Sequence, residues 1–169
     1  MVSVQPGKGG VQAAAPAGVV WPFAEQVPAA DTFQLRFALE GFACGLAATT
    51  LTAAELDALQ DNVEQMRLEL RGGDFESASR LDFDFHRRIL RASGNQAMCG
   101  IVTSHANIFL GSQKLPFIRP ERAMETWQEH RKILKALGRH ASGPAQKAMQ
   151  QHIRAAALRT GIAFVTLGD

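Results

Sequence analysis

Leu81-Asp-Phe-Asp-Phe-His-Arg-Arg-Ile-Leu-Arg91 holds a contradiction that the rest of the chain must resolve. Read as a helix, its apolar stripe runs Ala78, Leu81, Phe85 and Ile89, with Leu90 alongside. Asp82 and His86 stand one turn apart and fall inside that inward-facing sector. A carboxylate and an imidazole on a core face cost free energy unless something compensates them. A divalent metal does so, because Asp oxygen and neutral His nitrogen both ligate it and the spacing aims both at one point. The alternatives are a buried Asp–His hydrogen bond, or a helix rotated so that both residues meet water. On this stretch alone the alternatives are the simpler reading.

Two further helices change the balance. In Pro120–Leu137 the stripe is Ala123, Trp127, Ile133, Leu134 and Leu137, and His130 lies within it. In Pro144–Val165 it is Ala145, Ala148, Met149, Ala155 and Ala156, and His152 lies within it. One histidine on an apolar face is usually a satisfied core residue. Three on three helices, with Asp82 a turn from one of them, form a ligand set suited to zinc or a similar divalent metal inside a helical bundle.

Composition sets the outer limits. A chain of 169 residues fits one domain with a real core, and its 46% hydrophobic and 20% charged content is that of an ordinary globular protein. A net charge of +2 argues against a polyanion-binding surface over the main body. Cys44 and Cys99 lie in apolar helical sequence with no CxxC, which reads as reduced cysteines in a cytoplasmic protein. No apolar run approaches the length of a membrane span. Gln12, Pro16 and several glycines interrupt the Ala- and Val-rich start, so it is not read as a signal peptide.

Residues 1–30 differ in kind from the remainder. Val2, Val4 and Val11 flank Pro-Gly-Lys-Gly-Gly, which reads as a short β-hairpin, and the Ala- and Pro-rich stretch after it reads as a linker. Residues 31–169 form a second unit that reads as helix throughout. Asp31 or Thr32 caps a helix with Leu35, Leu39, Phe42 and Leu46 inward. Thr52-Ala-Ala-Glu55 is a capping box opening a second, with Leu56, Leu59, Val63, Met66 and Leu70 inward. Gly72-Gly73-Asp74 ends it and caps the third, which Ser93-Gly94-Asn95 closes. A fourth carries Met98, Ile101, Val102, Ile108 and Phe109 inward, with His105 among them. Pro120 suits the first turn of a fifth, and after the His140–Pro144 loop a sixth runs to the C-terminus. The expectation is all-α, an antiparallel six-helix bundle behind a hairpin remnant and linker.

These residues carry a resemblance. Asp82 and His86 as D-x-x-x-H, then Ser93-Gly94-Asn95, then E-H-x-x-I-L over Glu129–Leu134, then His152 on the last helix, resemble the FCD domain. That is the C-terminal effector-binding domain of FadR-subfamily GntR transcriptional regulators. Phe33–Glu40, FQLRFALE, is similar to that domain's opening R-x-x-L-E helix, although Gln34 stands where the family often has an acidic residue. The resemblance covers roughly residues 31–165 and implies a six- or seven-helix bundle holding a divalent metal through Asp82, His86, His130 and His152. Zinc is the first expectation for the metal, with nickel or manganese as alternatives. It further implies a small organic-acid effector, a non-enzymatic sensing role and a homodimer. The N-terminal Val2–Gln12 stretch is similar to the last hairpin of a winged helix-turn-helix, whose DNA-reading helices this sequence does not contain, so DNA would be met only through that preceding domain.

Two residues are assigned to ligand binding. Arg36 is the cation expected to receive the effector's carboxylate, against the alternative of a surface arginine paired with Glu40. His105 is expected to line the pocket, against that of a satisfied core histidine. His140 reads as solvated, Trp127 as core, and Arg87 and Arg88 as surface residues. Two other classes remain open. One is a helical-bundle metalloenzyme, for which Glu129 beside His130 is the nominated base, and the other is a structural dimerisation bundle with a stabilising metal.

Overall fold

The computed structural model describes residues 27–167. The hairpin and nearly all of the linker fall outside the described residues. Seven α-helices follow in order: α1 Ala29–Thr50, α2 Ala53–Gly72, α3 Phe75–Ala92, α4 Gln96–Ser104, α5 Ala106–Lys114, α6 Met124–Gly138 and α7 Ser142–Arg159. Two 3-10 turns, Leu115–Ile118 and Pro120–Arg122, join α5 to α6. No strand occurs among the described residues, and no helix there is long and apolar enough to cross a membrane.

The helix boundaries follow local chemistry. Thr52 accepts from the Glu55 N–H while Glu55 reaches back to the Thr52 N–H, completing the capping box. Gly73 closes α2 at φ 80°, a left-handed conformation that glycine adopts without a Cβ penalty. Asp74 accepts from Ser77 N–H to start α3, and Asn95 accepts from Met98 N–H to start α4.

Four expectations need correction. The segment read as one fourth helix is two, broken at His105, whose backbone N–H and Nδ1 both lie within bonding distance of the Ile101 carbonyl. Ile101 faces outward, 47% exposed, while Val102 and Phe109 are buried. Pro120 opens a 3-10 turn, and α6 begins after it at Met124. The last helix ends at Arg159; residues beyond it fold back on α1, with Gln34 Nε2 donating to the Val165 carbonyl and Phe164 packed edge-on to Phe37.

The fourth correction concerns α1, which begins at Ala29 without a side-chain cap and turns a different face inward. Leu35 and Phe42 are about half exposed, and Phe33, Arg36, Glu40, Ala43, Cys44 and Ala47 are buried. Apolar residues surround this helix, so their spacing selects no face. Small residues decide it, because they let α7 pack closely. A Cβ on Gly41 would come 2.6 Å from Gln150 Cγ, and one on Gly45 3.4 Å from the Ser142 carbonyl. α1 pairs with α7, α2 with α3, and α6 with both α2 and α7. The main core joins Phe33, Leu59, Val63, Phe85, Ile89, Ile133, Leu137, Met149 and Ile153.

Candidate metal centre

α3, α6 and α7 deliver Asp82, His86, His130 and His152 to one place. One ligating atom from each lies within 4.8 Å of all the others, and all four residues are buried. Asp82 and His86 share the inner face of α3 because they are one turn apart. Asp82 Oδ1 stands 3.1 Å from His130 Nε2 and 3.8 Å from His86 Nε2, while His86 Nε2 stands 3.1 Å from His152 Nε2. Phe85 stacks on the His130 ring, with centroids 4.0 Å apart and planes 14° from parallel, which fixes the ring's tilt.

Behind two of the histidines stand carboxylates, and behind each carboxylate an arginine. His86 Nδ1 is 2.6 Å from Glu40 Oε2, a close contact though off the line of an ideal hydrogen bond. Glu40 in turn accepts from Arg36 Nε at 2.9 Å and Nη2 at 3.4 Å, and Arg36 Nη1 donates to Ser112 Oγ at 3.3 Å. On the other side His152 Nδ1 is 2.8 Å from Glu129 Oε2. Both Glu129 oxygens accept from Arg159, whose Nη2 also donates to Thr126 Oγ1. Arg36 and Arg159 are each 1% exposed.

This arrangement sets the tautomers by inference from partners. An ionised carboxylate only accepts, so Nδ1 of His86 and of His152 carries the proton and each Nε2 presents a lone pair. Two lone pairs then face each other at 3.1 Å. Asp82 Oδ1 and His130 Nε2 point at the same region, and neither makes an aligned hydrogen bond. Buried acceptors without donors are expensive, and a cation among them removes the cost. The donor set of three imidazole nitrogens and one carboxylate oxygen fits a divalent transition metal.

The protonation preferences agree. Burial alone would raise the Glu40 carboxyl, but the Arg36 guanidinium and His86 outweigh it and hold it at about 2. Glu129 is held at about 2 by the same opposition, with burial set against His152 and Arg159. Asp82, buried against His86 and His130, stays well below the usual carboxylate range. Burial pushes His130 down to about 4, with Asp82 opposing in part, and pushes His152 down against the pull of Glu129. Neutral imidazoles beside ionised carboxylates are the forms that ligate metal.

Arg36 is buried and committed to Glu40 and Ser112: the i,i+4 pairing foreseen as its alternative is present, but inside the bundle. His105 caps the break between α4 and α5 and is outside the four-residue cluster. Glu129 is engaged by His152 and Arg159. His140 is exposed at φ 52° with Nδ1 3.0 Å from the Ala48 carbonyl. Trp127 is half-buried beneath the Arg131 guanidinium, and Arg87 and Arg88 pair with Asp84 at the surface. Sequence reasoning missed the roles of Glu40 and Arg159. The i,i+4 spacing of Arg36 and Glu40 was a usable signal; Arg159, seven residues after His152, was the weaker one.

No curated protein matches the sequence. Two solved structures are similar: Streptococcus agalactiae GntR, 27% identical with a TM-score of 0.66, and E. coli McbR/YncC, 19% identical with a TM-score of 0.66. The first alignment covers 79% of this chain and 58% of that one; the second covers 74% and 63%, and supports the fold alone. The chain therefore spans less than two thirds of either structure's length. A family model described as the FCD domain matches residues 31–155, which contain α2 to α6, nearly all of α1, and α7 through Ala155, His152 included. The chain belongs to the FCD domain family.

Proposed function

We propose that this chain is the ligand-sensing domain of a GntR/FadR-type transcriptional regulator, taking a small carboxylate effector at a divalent metal held by Asp82, His86, His130 and His152. The observation that carries it is the pair of opposed His86 and His152 Nε2 atoms, 3.1 Å apart and each backed by a carboxylate. Zinc is the first candidate for the metal, with nickel or manganese behind it. A bound divalent metal supplies a Lewis-acidic centre to which a carboxylate oxygen can bind. Glu40 and Glu129 hold the two imidazoles in the ligating tautomer, Arg36 and Arg159 hold those glutamates, and the apolar wall around Phe85 and Ile133 excludes water. The regulator is expected to be a cytoplasmic, non-enzymatic homodimer that meets DNA through a winged helix-turn-helix preceding the bundle.

Elemental analysis of the purified chain, followed by thermal unfolding with organic acids and with or without chelator, tests this reading. Stoichiometric metal and a carboxylate-dependent rise in stability that chelation abolishes are expected. A ligand at a hundredfold excess over its dissociation constant adds about 2.7 kcal/mol to the folded state. Metal without any carboxylate response would leave a structural bundle; turnover of an added substrate would make it an enzyme.

A further inference from the structure

Between α3 and the α4–α5 segment lies a cavity of about 130 Å³. Phe83, Leu90, Val102 and Ala106 give it an apolar wall, and Arg87 and Arg91, one turn apart on α3, border it. None of Asp82, His86, His130 and His152 lines it. The charge around it is one-sided. From residue 85 to residue 120 the chain has no Asp or Glu, while Arg87, Arg88, Arg91, Lys114 and Arg119 fall in that span. Asp84 is shared between Arg87 and Arg88, and takes only Nη2 of Arg87, at 3.0 Å. Arg91 is exposed and makes no hydrogen bond or ion pair among the described residues. Glu55, which borders the next hollow along α3 beside Arg88 and Arg91, is committed to the Thr52 N–H and hydroxyl.

We propose that this cavity binds a small monocarboxylate with a hydrocarbon body, at a site separate from the histidine cluster. An apolar hollow edged by a few polar groups is the usual form of a small-molecule site. Dry cavities of roughly 150 Å³ admit benzene, so this one has room for a body of about four or five carbons. The hydrocarbon would lie against Phe83, Leu90 and Val102, which leaves the carboxylate at the edge bordered by Arg87 and Arg91. Guanidinium groups match a carboxylate in shape as well as charge. A neutral molecule of the same shape gains only the apolar contact, and inorganic phosphate only the charge. The site goes beyond the sensor reading and stands whether or not the histidines hold a metal.

Site-resolved titration tests this. The full 169-residue chain is titrated at neutral pH with isovalerate, with its neutral isostere isovaleramide and with inorganic phosphate, and backbone amide shifts are followed by NMR. Isovalerate is expected to give saturable shifts at Cys99, Thr103 and Ala106, which line the cavity. Isovaleramide should bind there at least about fivefold more weakly, and phosphate should leave those amides unmoved. Ala106→Phe, which fills the cavity, should abolish the shifts. Arg91→Gln should weaken isovalerate about threefold and leave isovaleramide unchanged. Equal binding of acid and amide, or equal shifts from phosphate, overturns the ligand class. No shift at the cavity, or shifts confined to the surroundings of His130 and His152, overturns the site itself. Should Ala106→Phe fail to fold, Arg91→Gln decides: an unchanged ratio of acid to amide affinity refutes the proposal.

Discussion

His86 Nε2 and His152 Nε2 face each other 3.1 Å apart, and the far nitrogen of each ring meets a glutamate. Neither ring can turn to relieve the opposition without abandoning its carboxylate. Removing one imidazole relieves the opposition but also removes a proposed ligand. His130→Ala and His152→Ala should therefore each lose stoichiometric metal, read by elemental analysis after gel filtration. Retention of metal by both variants would show that the ligands are wrongly assigned.

Arg36 distinguishes an effector contact from a support for Glu40. As support, its loss leaves the buried Glu40 carboxylate without a cation and with only His86 beside it, at a cost of about 3–5 kcal/mol. Arg36→Ala should thus lower the denaturant midpoint and weaken metal binding together. Arg36→Met with Glu40→Leu should recover much of the stability but not the metal affinity, because His86 would still lack its acceptor. An Arg36→Ala variant with unchanged stability and metal content, weakened only toward carboxylates, would return Arg36 to the effector.

Acid should destabilise the metal-free chain in two stages. His130, lowered to about 4 from its ordinary 6.5, binds fewer protons folded than unfolded between those values. Stability is therefore full above 6.5 and falls as the pH drops toward 4, by about 3 kcal/mol from this residue alone. His152 moves in the same direction. Glu40 and Glu129, lowered to about 2, contribute stability that is present above 4.5 and lost as the pH falls toward 2. Urea midpoints of the chelator-treated protein from pH 8 to pH 3 would reveal this, and a flat profile down to pH 4 would contradict neutral buried histidines.

The four clustered residues were legible because each contradicts its own helix: a polar residue placed where spacing demands an apolar one. Helix ends were legible for a related reason, since Thr52–Glu55, Gly73–Asp74 and Asn95 advertise their bonds in sequence. The inward face of α1 was not legible. Apolar residues surround it, and the deciding factors were the glycines that admit α7 and the buried Arg36–Glu40 pair. Glu40 and Arg159 stayed hidden because a charged residue on a helix is ordinarily solvated, and only tertiary neighbours distinguish the exceptions. The break at His105 carries neither Pro nor Gly to announce it.

The bond from Gln34 to the Val165 carbonyl brings the two ends of the described chain side by side. Residues 27–167 taken by themselves suit circular permutation: a short linker could join residue 167 to residue 27, and new termini could open at the turn after Gly73, where φ is already that of a glycine loop. In that rearrangement α3, α6 and α7 would keep their mutual order, so the Asp82–His86–His130–His152 cluster would survive as a module independent of which helix comes first.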